Sequence, residues 1–215
     1  MTLAESAPAS AGEACELVAY FGYGSLVNRL THRTEIVAAH RARLNGWRRF
    51  WRPRPDMPFD KAKATPVSLL TVAREPGAVT DGLLVVDRAE NLPAVDLREA
   101  HYARRALRPD EVMLLEGSLP DGCPLYVYEA HAAIPAHDGA CPIYQSYLDA
   151  VLQGFLAEHG EAGLREFVFG TGGFETPVLA DRAAPIYPRA VKLAAAEQEL
   201  IDALLTERGI RHLPL

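Results

Sequence analysis

The chain has 215 residues, which is long enough for one well-buried core, and no stretch is rich enough in proline, serine or charge to act as an internal linker. Its formal net charge of -6 gives no electrostatic reason to expect DNA, RNA or an acidic membrane surface as a partner. We therefore expect a small-molecule partner, with no nucleic acid and no membrane. The composition does not indicate an oligomeric state.

The N-terminal segment, residues 1–14, lacks the basic start and apolar stretch of a secretory signal. We expect it to be a flexible tail in front of a single domain at 15–215. No apolar run approaches the roughly 20 residues needed to cross a bilayer. These features together predict a cytoplasmic protein.

The metal-binding and redox-active residue types show no organised spacing. Cys15, Cys123 and Cys141 are odd in number and far apart, which is typical of free thiols in a reducing compartment. The histidines form no HExxH pattern, and His131 and His137 do not have helical spacing. We expect no metal site and no disulfide.

The first predicted strand, 17–21, ends in a glycine-rich turn, Phe21-Gly22-Tyr23-Gly24-Ser25-Leu26. The two glycines leave the chain free to bring successive backbone N–H groups toward one point. Such a concavity binds a carboxylate or a phosphate. The alternative is an ordinary connection between a strand and a helix.

Strand-like segments dominate the next part of the chain. Bulky apolar residues indicate a half-buried strand or bent hairpin at 43–52. Two further runs, 67–73 and 82–86, predict a hairpin closed by a turn at Pro76-Gly77.

A short helix is predicted after these strands, because Asp87 followed by Glu90 resembles a capping box. Glu99 then lies near the end of that helix. Two more strands are predicted, around 111–115 and around 124–130.

The periodicity becomes helical in the last third of the chain. Apolar residues at spacings of three and four predict an amphipathic helix over 143–156, with Pro142 suited to its first position. A short helix is expected at 162–167 and another at 194–208, ended by Gly209.

Strands first and helices afterwards predict an α+β fold, in which a mainly antiparallel sheet is curled into a small barrel with flanking helices. The helical third covers about 142–215. A doubly wound nucleotide-binding fold is disfavoured, because strands and helices do not alternate regularly.

The glycine turn at 21–26, followed in order by Asp96-Leu97-Arg98-Glu99, Tyr102 and Arg104, resembles the γ-glutamylcyclotransferase superfamily, which includes ChaC-like and AIG2-like proteins. The distance in sequence from Ser25 to Glu99 is also similar to that family. A further set of residues is similar to the second strand of the ChaC-like branch: Ala42, Leu44, Gly46, Trp47, Arg49 and Phe50.

The resemblance implies a γ-glutamylcyclotransferase-like fold and release of 5-oxoproline from a γ-glutamyl peptide or amine, without a cofactor. It assigns Glu99 as the catalytic acid/base. It assigns the glycine turn as the site that holds the substrate's α-carboxylate. The expected binding residues are Gly22, Tyr23, Gly24, Ser25, Leu26 and Tyr102. Partial burial of Glu99 would raise its pKa toward the working pH.

Several alternatives stay open at this point. Glu99 also fits a solvated charge paired with Arg98 or Arg104. Tyr23 and Tyr102 fit core residues with satisfied hydroxyls as well as substrate contacts. Ser25 lacks the G-x-S-x-G context of a nucleophile. Asp96 fits a residue that supports a local turn. The run Arg48 to Arg52 fits a two-faced strand as well as a nucleic-acid surface.

Two alternatives concern the whole chain: a non-catalytic small-metabolite binding module on the same fold, or another enzyme that cleaves amides or transfers acyl groups. Ala100 stands where many relatives have glycine, and Val27-Asn28-Arg29 differs from the ChaC-like branch, so the γ-glutamyl substrate is left open. Thr171 to Phe174 and Ile186 to Arg189 match no branch. They either shape a leaving-group pocket or pack over the sheet.

Overall fold

The computed structural model describes residues 16–54, 66–131 and 141–215. The predicted tail at 1–14 lies outside the described residues, as do Cys15 and His137. Six strands form the main sheet: β1 (Leu17–Gly22), β2 (Ala38–Arg54), β3 (Val67–Arg88), β4 (Tyr102–Leu107), β5 (Val112–Leu114) and β6 (Leu125–Ala130).

The strand order of this sheet is β4-β6-β1-β3-β2-β5. Neighbouring strands are antiparallel, except that β1 and β6 run parallel. The sheet curls into a half barrel. The predicted α+β class with a mainly antiparallel, curled sheet is confirmed.

The longest pairing joins β2 to β3 as one ribbon, and it corrects the predicted hairpin. Residues 75–78 bulge out opposite Gly46, and the two strands stay paired on both sides of this bulge. Gly46 and Gly77 both have positive φ, which suits glycine. The hairpin at Pro76-Gly77 is therefore wrong, because the partner strand continues past the bulge and keeps β3 extended.

Three helices follow the order expected from the sequence: α1 (Leu92–Arg98), α2 (Gln145–Gly170) and α3 (Ala195–Glu207). Gly160, with a φ of 66°, interrupts α2, so the two predicted helices at 143–156 and 162–167 lie on either side of this break. Gly209, with a φ of 75°, follows α3 as expected.

Pro142 does not begin α2. Ile143–Tyr144 instead forms β7, which pairs in parallel with β8 (Val178–Leu179), and β8 pairs with β9 (His212–Leu213). Short 3-10 helices also occur, at Ser25–Val27, Arg29–Thr31, Ala89–Asn91 and Pro109–Glu111.

The core lies between the sheet and α2. Fully buried side chains of α2, among them Val151 and Phe155, share one apolar cluster with Phe21 of β1 and Leu84 of β3. Arg49 of β2 is also buried, and its guanidinium lies 4.1 Å from the centre of the Phe167 ring. The basic aromatic run of β2 is therefore two-faced. None of the described helices is long and apolar enough to cross a membrane.

Candidate functional site

The glycine turn links β1 to the first 3-10 helix, and at both of its glycines other atoms lie close to the backbone. A Cβ on Gly22 would lie 2.7 Å from the Cβ of Leu26, and a Cβ on Gly24 would lie 3.0 Å from the hydroxyl of Tyr147. Val27 N donates to Gly24 O over 2.9 Å, which closes the first helical turn. A side chain at position 22 would displace Leu26, and one at position 24 would press on the ends of the Tyr147 and Leu70 side chains.

The start of this 3-10 helix carries backbone donors. The N–H groups of Ser25 and Leu26 cannot bond to a carbonyl of the same helix, because both lie in its first turn. The Ser25 backbone is hydrogen-bonded to the Tyr147 hydroxyl, which comes from the first turn of α2. Ser25 and Leu26 are both buried, so their N–H groups do not lie on an open surface.

Glu99 is the residue that ends α1, and its backbone N–H donates to Val95 O over 2.9 Å. Its side chain is 14% exposed, so it is not a solvated helix-end charge. Arg98 Nε donates to Glu99 Oε1 over 2.9 Å. Burial raises the pKa of Glu99, while the positive charges of Arg98 and Arg189 and the hydrogen bond from Arg98 act in the opposite direction.

Arg98 connects Glu99 to the glycine turn. Besides its bond to Glu99, the guanidinium donates to Thr31 O over 2.9 Å, and to Thr31 Oγ1 and Ser25 Oγ over 3.2 Å each. Arg104, the other partner considered for Glu99, pairs with Asp96 over 2.8 Å. The carboxylate is thus held by a cation that is itself anchored on the turn.

A narrow inner pocket brings most of the predicted site residues together. Its lining comprises Tyr23, Gly24, Ser25, Leu26, Leu70, Glu99, Tyr102, Tyr128 and Tyr147. Of the predicted residues, Gly22 does not line it and acts on the shape of the turn instead. Tyr128 and Tyr147 had not been singled out from the sequence.

The tyrosines of the inner pocket are fixed by hydrogen bonds. Tyr23 donates to Tyr128 O, and Tyr102 donates to Leu70 O over 3.0 Å. Burial raises the pKa of both phenols well above the ordinary value, so both stay protonated near neutral pH. Their hydroxyls are satisfied by the main chain, so these side chains contribute chiefly shape to the pocket.

Asp96 also acts on this pocket, through Tyr128. Tyr128 donates its hydroxyl proton to Asp96 Oδ1 over 2.7 Å, and Arg104 holds the second oxygen of the carboxylate. Asp96 therefore orients a pocket side chain and links α1 to β4 and β6.

An outer pocket adjoins the inner one. Ser25, Glu99, Tyr102 and Tyr147 line both pockets. The remaining lining of the outer pocket is Leu69, Arg98, His101, Tyr187 and Arg189. Glu99 thus lies at the junction of two compartments, one rich in tyrosine and one bearing arginines.

Within the three described stretches of the chain, no group of three or more histidine, cysteine, aspartate or glutamate side chains could hold a metal ion. The site offers a buried carboxylate with a raised pKa, and the residues that begin the first 3-10 helix line the same pocket. A carboxylate of this kind can accept a proton and return it.

Comparison with solved structures places this geometry on a known fold. A γ-glutamyl cyclotransferase, 16% identical, matches with a TM-score of 0.52 over 87% of this chain and 99% of its own. An uncharacterised human protein, 15% identical, matches with a TM-score of 0.49 over 87% of this chain and 99% of its own. A γ-glutamyl cyclotransferase from yeast specific to glutathione, 16% identical, matches with a TM-score of 0.43 over 89% of this chain and 97% of its own.

Sequence comparison adds nothing further: no protein-family model matches the chain, and no curated protein matches it significantly. The first of the structural likenesses shows that this chain has the fold of a γ-glutamyl cyclotransferase.

Proposed function

We propose that this protein is a γ-glutamylcyclotransferase, which converts the γ-glutamyl group of a γ-glutamyl peptide or amine to 5-oxoproline and releases the attached amine. The observation that carries the proposal is the position of Glu99, buried at the junction of two pockets, beside the backbone donors of the glycine turn. The shared fold supports the same activity.

We assign the substrate's glutamyl head to the inner pocket because Glu99 and the glycine turn both line it. The N–H of Leu26, together with the N–H of Ser25 that also contacts the Tyr147 hydroxyl, would receive its α-carboxylate, since a concavity of such donors binds an anion without a formal charge. The nucleophile is the substrate's own α-amine, so the protein has mainly to hold a folded conformation. Orientation of this kind is worth effective molarities of about 10⁵ M or more.

Proton transfer is the task proposed for Glu99. The α-ammonium loses a proton to the carboxylate, its nitrogen attacks the γ-carbonyl carbon, and the bond from that carbon to the leaving nitrogen breaks. Of the three protons on the α-ammonium, one stays on the ring nitrogen and two end on the released ammonium. A group that takes and returns protons works best with a pKa near the operating pH, which the burial of Glu99 favours.

The direct test is to incubate purified protein with glutathione, γ-glutamyl dipeptides and γ-glutamyl amines and to measure 5-oxoproline. We expect release from at least one class. Glu99→Gln should lower turnover by about 10² to 10⁴, the usual contribution of general acid–base catalysis. Glu90→Gln, an exposed glutamate just before the same helix, is the matched control and should leave turnover unchanged.

Two results would contradict the proposal. Full activity in the Glu99→Gln variant would move the chemistry to another residue. Substrate-induced stabilisation with no product from any compound would identify a binding module instead of an enzyme.

A further inference from the structure

We infer that Arg189 binds a carboxylate on the leaving amine, so that the preferred substrates are γ-glutamyl amino acids and not γ-glutamyl derivatives of amines that lack this carboxylate. This inference rests on the proposed function and adds a specificity residue to it. Arg189 comes from the segment after β8, for which the sequence leaves two roles open, shaping a leaving-group pocket or packing over the sheet. Together with Tyr187 it forms one wall of the outer pocket.

The wall is rigidly attached to the fold. The fully buried carboxylate of Asp181 accepts from Ser146 N over 2.7 Å and from Ile186 N over 2.9 Å. Tyr187 N in turn donates to Ser146 Oγ over 3.1 Å. The backbone just before Arg189 is therefore fixed to the first turn of α2, next to Tyr147 of both pockets.

The guanidinium of Arg189 is oriented but not neutralised. Its Nε donates to the Tyr187 hydroxyl over 3.1 Å, and the group lies 5.3 Å from the centre of that ring. Within the described parts of the chain, no carboxylate lies within salt-bridge distance of the Arg189 guanidinium. The Arg98 guanidinium, in contrast, donates hydrogen bonds to Glu99, Thr31 and Ser25. Arg189 is thus the cation of the outer pocket that keeps N–H donors for a ligand.

The position relative to Glu99 fits a leaving-group contact. Glu99 must reach the scissile nitrogen, and the two residues line the same outer pocket. In a γ-glutamyl amino acid the leaving nitrogen is one carbon away from a free carboxylate. An arginine fork binds a carboxylate through two parallel hydrogen bonds, and an arginine with open donors suits that geometry.

The test compares γ-glutamyl-alanine with γ-glutamyl-alaninamide, which differ only in that carboxylate. We expect the wild-type protein to favour the acid in kcat/KM by about 10- to 100-fold, as a hydrogen bond to a charged group implies. Arg189→Gln should remove this preference by slowing the acid alone, and Arg189→Lys should keep part of it. Arg211→Gln, an exposed arginine next to β9, is the control and should keep it whole.

Because both substrates are measured at one pH, any effect of Arg189 on Glu99 cancels in their ratio. The rate on the amide also reports whether the variant is folded. An equal loss of kcat/KM on both substrates in Arg189→Gln would overturn the inference, since Arg189 would then act on the glutamyl head or on Glu99. A wild-type ratio of kcat/KM for acid over amide near one would overturn it as well. Failure of wild-type protein to release 5-oxoproline from either compound would overturn the proposed function and this inference with it.

Discussion

Arg98 is the single residue on which the charge of Glu99 depends most. Burial favours the protonated carboxyl, and the adjacent guanidinium opposes burial through its charge and its 2.9 Å hydrogen bond. Arg98 is itself held by Thr31 and Ser25, so it positions the carboxylate relative to the turn. Replacing it should change both the geometry and the proton affinity of Glu99.

We expect Arg98→Gln to move the acidic limb of the pH profile of kcat/KM to higher pH. Without the guanidinium, the pKa of Glu99 rises further, so the base stays protonated over a wider range and activity is lost most at low pH. Arg98→Lys should restore part of the shift. Arg105→Gln, whose partner Glu129 lies on the neighbouring strand, should leave the profile in place. A loss that is equal at every pH would contradict this role.

Among the secondary-structure elements, the start of α2 supports both walls of the site. Tyr147 reaches the glycine turn, and Ser146 fixes the segment that carries Tyr187 and Arg189 through the buried Asp181. Arg182 adds a second tie, since it pairs with Asp149 of α2 over 2.7 Å. The outer pocket therefore depends on hydrogen bonds made by one helix end.

Asp181→Asn should destabilise the protein by about 1 to 3 kcal/mol, since an amide nitrogen would then face backbone donors and leave buried groups unpaired. Urea unfolding of wild type and variant measures the change in the free energy of unfolding. Asp110→Asn is the control, because its carboxylate is 73% exposed. A free energy of unfolding equal to that of the wild type would show that the segment is held by other contacts.

At the scale of the whole molecule, the order of residues in the sequence predicted the turn, the helix that ends at Glu99 and the fold class. Tyr128 and Tyr147 could not be predicted as pocket residues, because a strand or helix position with an aromatic side chain looks the same whether it faces a core or a cavity. The β3 strand could not be predicted either: Pro76-Gly77 has the local features of a turn, and only pairing with β2 overrides them. The sequence also does not predict β4, because this edge strand exposes Arg104 and Arg105 and so lacks the apolar pattern of a buried strand.

The central claim is that the α-amine of the substrate attacks its own γ-carbonyl. Labelling that amine with ¹⁵N and following the reaction by NMR and mass spectrometry tests the claim directly. We predict that the label appears in the ring nitrogen of 5-oxoproline, that the amine product is unlabelled, and that Glu99→Gln suppresses both products. Release of labelled glutamate in place of 5-oxoproline would show attack by water and would contradict the account.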